Sequence, residues 1–154
     1  DTSAGLVTPA GHVLQVIQTV KTDTFNMNSA TYADVTGFTA SITPSSASNK
    51  ILVAVDTQVS GQVTYNVKLG LLRGSIFLHT KVQRIAQDGQ AIYREYPLTY
   101  FYLDSPATTS SVTYKMQMSV NGQPAYLNRP YDQGGYTPAG TESNSTLTLM
   151  EIAG

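Results

Sequence analysis

The chain has no cysteine and no tryptophan. Without thiols it can build neither a disulfide framework nor a thiolate metal site. Charge is scarce: 12% of its 154 residues are charged and the net charge is −1. Lys and Arg are dispersed, so there is no basic stripe of the kind that nucleic acid requires. The two imidazoles, His12 and His79, have no acidic cluster beside them and make a weak zinc set. No apolar run reaches the length of a membrane span, and no charged-then-apolar start reads as a signal peptide. A phosphate loop, a dinucleotide fingerprint, a calcium loop and a Gly-x-Ser-x-Gly elbow are all missing. These absences lead to the expectation of no cofactor, no metal, no nucleic-acid partner, no membrane insertion and no enzymatic activity. Asp1 stands where a Met start would be, which suggests a fragment or a processed chain.

What the sequence does have is the period of a strand. From Ser111 to Val120, Val112, Tyr114, Met116, Met118 and Val120 fall on one side, and Thr113, Lys115, Gln117 and Ser119 on the other. Side chains on a strand alternate faces, so this is a half-buried strand. Asn121-Gly122 then reads as a type I′ hairpin turn, with 125–128 as the returning strand. The same alternation predicts strands over 13–20, 31–35, 38–43, 50–59, 65–73, 75–84, 92–103 and 145–152. Gly37 separates two of them, Gly74 two others, and Asp88-Gly89 gives a second hairpin signal. Pro97 marks an edge or a bulge. Residues 1–11, with Gly5, Pro9 and Gly11, form a lead-in arm to a single domain spanning 1–154. Nine or ten short strands at this spacing predict an all-β antiparallel sandwich of jelly-roll type.

Three segments are apolar on both faces. In 13–20, Val13 and Ile17 oppose Leu14, Val16 and Val20; in 147–152, Leu147 and Leu149 oppose Met150 and Ile152; the run Tyr100-Phe101-Tyr102-Leu103 does the same. A sandwich strand ordinarily solvates one face, so the second face needs a cover. Neighbouring copies of the chain would supply it, whereas loop cover or scattered exposed apolar groups is the plainer alternative. Val13, Ile17, Tyr100, Tyr102, Leu149 and Met150 are the candidate core or intersubunit positions.

Catalytic vocabulary is thin. Glycoside hydrolysis needs two carboxylates facing each other across a bond. Asp104 with Glu95, or Asp132 with Glu142, are the pairings available, although Asp88, Asp104 and Asp132 are also the Asp that turns favour. The stronger signal is a binding one: the loop after the 125–128 strand holds Tyr126, Asn128, Arg129, Tyr131, Asp132, Gln133 and Tyr136. Tyr offers rigid amphipathic area, and Asn, Gln and Gly offer adaptable hydrogen bonding, a mixture suited to a sugar. Tyr93, Arg94 and Tyr96 form a weaker second cluster.

Four segments together carry a resemblance: Gly11-His12-Val13-Leu14-Gln15-Val16, the run from Ile42-Thr43-Pro44-Ser45 to Lys50-Ile51-Leu52-Val53, Leu103-Asp104-Ser105-Pro106-Ala107-Thr108-Thr109-Ser110, and the Ser145-Thr-Leu-Thr-Leu-Met-Glu-Ile end. In this order the chain resembles the carboxyl-terminal β-sandwich domain of tailed-phage tail-fibre and virion surface proteins, less clearly between Gly61 and Tyr96 and after Tyr126. The resemblance implies a homotrimeric fibre-tip or appendage domain on the virion surface. Its partners would be other virion proteins and a host cell-surface glycan or receptor. A purely structural capsid decoration or head-fibre protein is the alternative. A monomeric carbohydrate-binding module and a capsule-degrading enzyme stand behind it.

Overall fold

The computed structural model describes residues 9–61, 66–85, 94–131 and 143–154. Twelve strands carry the described chain: β1 Val13–Lys21, β2 Phe25–Met27, β3 Ala33–Ile42, β4 Lys50–Asp56, β5 Gln58–Gly61, β6 Asn66–Arg73, β7 Ile76–Arg84, β8 Arg94–Pro97, β9 Tyr100–Asp104, β10 Val112–Val120, β11 Ala125–Leu127 and β12 Ser145–Ile152. All pairings are antiparallel. One sheet runs β1-β12-β4-β9 and a second runs β3-β10-β6-β7. The chain passes repeatedly between the two four-stranded sheets, which is the jelly-roll wrap. A third sheet, β2-β11-β5-β8, continues the first beyond its breaks: β4 leads through Thr57 into β5, and β8 leads through Leu98 and Thr99 into β9.

The alternation seen in the sequence decides which side chains meet. Ile51, Val53, Val55, Leu147, Leu149 and Tyr100 point inward from the first sheet, and Leu69, Leu71, Tyr114, Met116 and Met118 from the second; all are buried in one core. The third sheet adds Met27, Val59, Ala125 and Leu127. Each buried aliphatic side chain contributes about 1.5–3 kcal/mol to the sandwich. The β1 side of the sandwich is closed by polar reach: Gln15 Nε2 donates to the Thr43 carbonyl at 2.8 Å, and Thr19 Oγ1 to that of Thr39 at 2.8 Å. The β7–β9 side is closed by rings, with His79 5.1 Å from Tyr100 and 5.7 Å from Tyr102.

Several expectations are corrected. Asn121-Gly122 does not turn a hairpin: β11 pairs with β2 and β5, not with β10, and Asn121 lacks the positive φ that a type I′ turn requires. The four residues 121–124 carry the chain from one sheet to another instead. Gly37 does not separate two strands. With φ at 75° it forms part of a bulge inside β3, where pairing jumps from Lys115↔Thr39 to Gln117↔Asp34. The expected strand over 50–59 is divided at Thr57, and β2 carries no readable period in its three residues. The Gly74 turn stands, with φ at 58° between Arg73 and Ile76. Asp88-Gly89 lies outside the described residues.

Candidate functional site

Asn128 terminates β11 in the left-handed region, at φ 63°, and is fully buried. Its Nδ2 donates to the carbonyls of Lys21 at 2.9 Å and Asp23 at 3.0 Å, and its Oδ1 accepts from Ser145 Oγ at 2.5 Å. Thr57 Oγ1 donates in turn to Ser145 Oγ at 2.5 Å. The backbone joins in: Asn128 N donates to the Gln58 carbonyl at 3.2 Å, and Leu98 N to that of Thr57 at 2.7 Å. This network fills the seam where the first sheet passes into the third. Polar groups in such a seam must be paired to be tolerated. Asn128 is therefore corrected from a ligand contact to the residue that aims the following loop.

That loop presents a small aromatic cluster. Tyr126 points outward from β11, half-buried, opposite Ser60. The Arg129 guanidinium carbon stands 4.4 Å from its ring centroid, a cation–π contact, and the Tyr131 ring lies 5.7 Å away, tilted by 50°. Ser60 Oγ donates to the Arg129 carbonyl at 2.7 Å, pinning the loop across the third sheet's outer face. The structure thus brings Tyr126, Arg129 and Tyr131 together, with Tyr131 buried. Asp132, Gln133, Tyr136 and Glu142 lie outside the described residues, as does Tyr93.

The carboxylates are placed apart. Asp104 is buried and accepts from Tyr114 Oη at 2.6 Å and Arg73 Nη1 at 2.7 Å. Burial, and then this bond to Asp104, push the Tyr114 phenol well above its usual range. Glu95 pairs opposite Ser60 and Asp104 opposite Ile51, nine residues apart along β4 and β5. At about 3.3 Å per residue that is roughly 30 Å, far beyond the 5–10 Å that glycoside hydrolysis uses. Asp104 with Glu95 is therefore not a catalytic pair. Among the described residues, no group of three or more His, Cys, Asp and Glu could hold a metal ion, and no helix is long and apolar enough to cross a membrane. His12 is exposed, with Nδ1 donating to the Pro9 carbonyl at 3.0 Å. His79 is half-buried against the two tyrosines.

A further unassigned feature is the outer face of the first sheet. Register places Val16, Met150, Leu52 and Leu103 in one row across its four strands, and Gln18, Thr148, Ala54 and Phe101 in the next. Val13, Ile152 and Lys50 flank one end, and Val20, Thr146 and Asp56 the other. Phe101 is 67% exposed, Val16 55%, Val13 52%, Leu103 51% and Val20 50%. The six candidate core or intersubunit positions therefore divide. Leu149 and Tyr100 are core, and Tyr102 is half-buried against it. Val13 and Met150 sit on the outer face. Ile17 faces inward opposite Leu149 but is 38% exposed, because β1 overhangs the sheet's edge.

No family model matches the sequence, and no curated protein matches it. Among solved structures, the chain is similar to one of infectious bursal disease virus Gt strain, with 12% identity and a TM-score of 0.49, over 94% of this chain and 39% of that one. It is also similar to a mutant VP2 protein of infectious bursal disease virus in derived T=1 particles (13% identity, TM-score 0.45, 91% and 36% coverage). A third is from the Gx strain of that virus (13% identity, TM-score 0.44, 94% and 39% coverage). The chain thus spans well under half the length of these solved chains. The likeness is one of general strand arrangement, and the function is argued from the chain itself.

Proposed function

We propose that this chain is a structural domain of a virus particle's surface, assembled from copies of itself. The observation that carries the reading is the outer face of the first sheet: an apolar layer spread over four strands, open to solvent in the single chain. Monomers rarely expose contiguous apolar area of this kind, and assembling proteins do. The resemblance of its segments to phage fibre and virion surface domains supplies the virion setting. Solution mass by light scattering tests the assembly. An oligomer is expected, and a monomer at every concentration would overturn the reading.

The finer reading is attachment. The domain would sit at a fibre tip or appendage and hold a host glycan at the loop led by Tyr126 and Arg129, with the buried Tyr131 packed beside them. The ring-and-guanidinium cluster on an anchored loop supports it, since aromatic faces and Arg donors suit a sugar's apolar face and hydroxyl rim. Copies engaging together would turn weak sites into firm attachment. A glycan panel compares wild type with Tyr126→Ala: loss of binding supports attachment, and equal binding by both moves the site elsewhere. Absence of any glycan or cell binding favours the purely structural alternative.

A further inference from the structure

The outer face of β1-β12-β4-β9 has a pattern beyond being apolar. Among the described residues of its rows, two are charged, and they sit at opposite ends of the same strand: Lys50 begins β4 and Asp56 ends it, both exposed. Six residues apart, they are about 20 Å from one another. Between them lie the two central rows. On the middle strands, the row of Leu52 and Met150 is bulky and the row of Ala54 and Thr148 is slight.

A half-turn about an axis lying in the face and perpendicular to the strands exchanges these rows. It lays Leu52 over Ala54, Met150 over Thr148 and Lys50 over Asp56, and each contact occurs twice. Along β4 and β12 the face is therefore complementary to itself in charge and in bulk, as the centre of an isologous contact must be, while at the sheet's two edges the same turn lays Leu103 over Phe101 and Val16 over Gln18. Sheets stack with their strands closely aligned and about 10 Å apart, so at the centre of the contact bulky side chains from one fall over small ones of the other. A half-turn about the strand direction instead sets Lys50 near Lys50 and loses the match. Asp56 is also held in place, because Thr99 Oγ1 donates to its Oδ1 at 2.7 Å.

We propose that this face is a two-fold contact between copies of the chain: a second copy packs the same face on it, strands antiparallel and β4 over β4, with Lys50 of each meeting Asp56 of the other. The proposal rests on the self-assembly reading and makes it specific: the smallest closed unit through this face is a dimer, not the trimer that the fibre resemblance implies.

The test is a charge swap read by sedimentation of the full chain. Lys50→Asp alone and Asp56→Lys alone each set like charges together twice, and each weakens dimerisation by at least about tenfold. The two substitutions in one chain restore the opposition and recover affinity to within a few-fold. Ala54→Arg, which fills the slot under Leu52, gives a folded monomer whose melting, unlike that of the wild type, does not depend on concentration. Single swaps without effect, or a double swap no better than the weaker single, would overturn the pairing. An oligomer indifferent to all these changes leaves self-assembly standing and removes this contact. A monomeric wild type removes both.

Discussion

Glu151 offers the sharpest test of how the sandwich is held together. Its carboxylate lies on β12 facing inward, 1% exposed. Oε1 accepts from Ser45 N at 2.6 Å, Ser45 Oγ at 2.8 Å and Asn49 Nδ2 at 2.6 Å, and Oε2 accepts from Gln15 Nε2 at 2.5 Å. One side chain thereby ties β1 and the loop between β3 and β4 to β12. Burial alone would raise its pKa, but the hydrogen bonds from Asn49, Gln15 and Ser45 outweigh it and bring it down from 4.5 to about 2. A lowered carboxylate stabilises the fold fully above its unfolded pKa, and that stability is lost as pH falls through the folded one. At about 1.4 kcal/mol per unit, the ionised form contributes about 3 kcal/mol near neutrality. Glu151→Gln keeps the shape and removes the charge. The expected deficit is about 3 kcal/mol at pH 7, or roughly 6–12 °C in melting temperature. Because the variant has nothing to titrate there, its deficit shrinks as pH drops from 5 towards 2. Urea unfolding of both proteins at pH 7 and pH 2.5 measures the difference and cancels the other carboxylates. A deficit under about 1 kcal/mol at pH 7, or one that is equal at both pH values, refutes the reasoning.

Three further outcomes follow from the same geometry. Asn128→Gly keeps the left-handed backbone but strips the amide, taking away the side-chain donor to the Lys21 and Asp23 carbonyls and the acceptor of the Ser145 hydroxyl. Urea unfolding should show a loss of about 2–4 kcal/mol, and a neutral result would mean that the seam network is dispensable. Gly70→Ala would place a Cβ 2.6 Å from Phe77 Cζ. The half-exposed ring must swing away from Tyr32, whose ring centroid is 5.2 Å from it, so thermal melting should register a cost of about 1 kcal/mol. Tyr114→Phe leaves Asp104 with Arg73 but removes the 2.6 Å phenol bond, and chemical denaturation should show a loss of about 1–3 kcal/mol.

The fold was legible where one face of a strand is buried and the other wet. β10 shows this most plainly: Tyr114, Met116, Met118 and Val120 are buried, as their alternation requires. It was illegible where local chemistry has two solutions. Asn-Gly can close a hairpin or simply begin a crossing, and the choice depends on which sheet receives β11, a long-range matter. Gly37 can end a strand or bulge it. The three residues of β2 are too few to show a period. At the candidate site, Tyr126, Arg129 and Tyr131 do gather as their loop suggested. Asn128 misleads because the amide that suits a sugar also suits a buried seam, and its outcome is set by Lys21, Asp23 and Ser145, which come from other strands. The doubled apolar faces of 13–20 and 147–152 were readable, but the charged ends of β4 and the large-over-small match along β4 and β12 appear only when register aligns the strands.

The central claim is that copies of this chain cover one another's outer face. The most direct measurement is the mass of the 16.5 kDa chain in solution by sedimentation equilibrium, wild type beside Ala54→Arg. The account predicts a wild-type mass of about twice the chain's, dissociating on dilution, and a variant at the mass of one chain. A wild type that sediments as one chain across the accessible concentrations would contradict it.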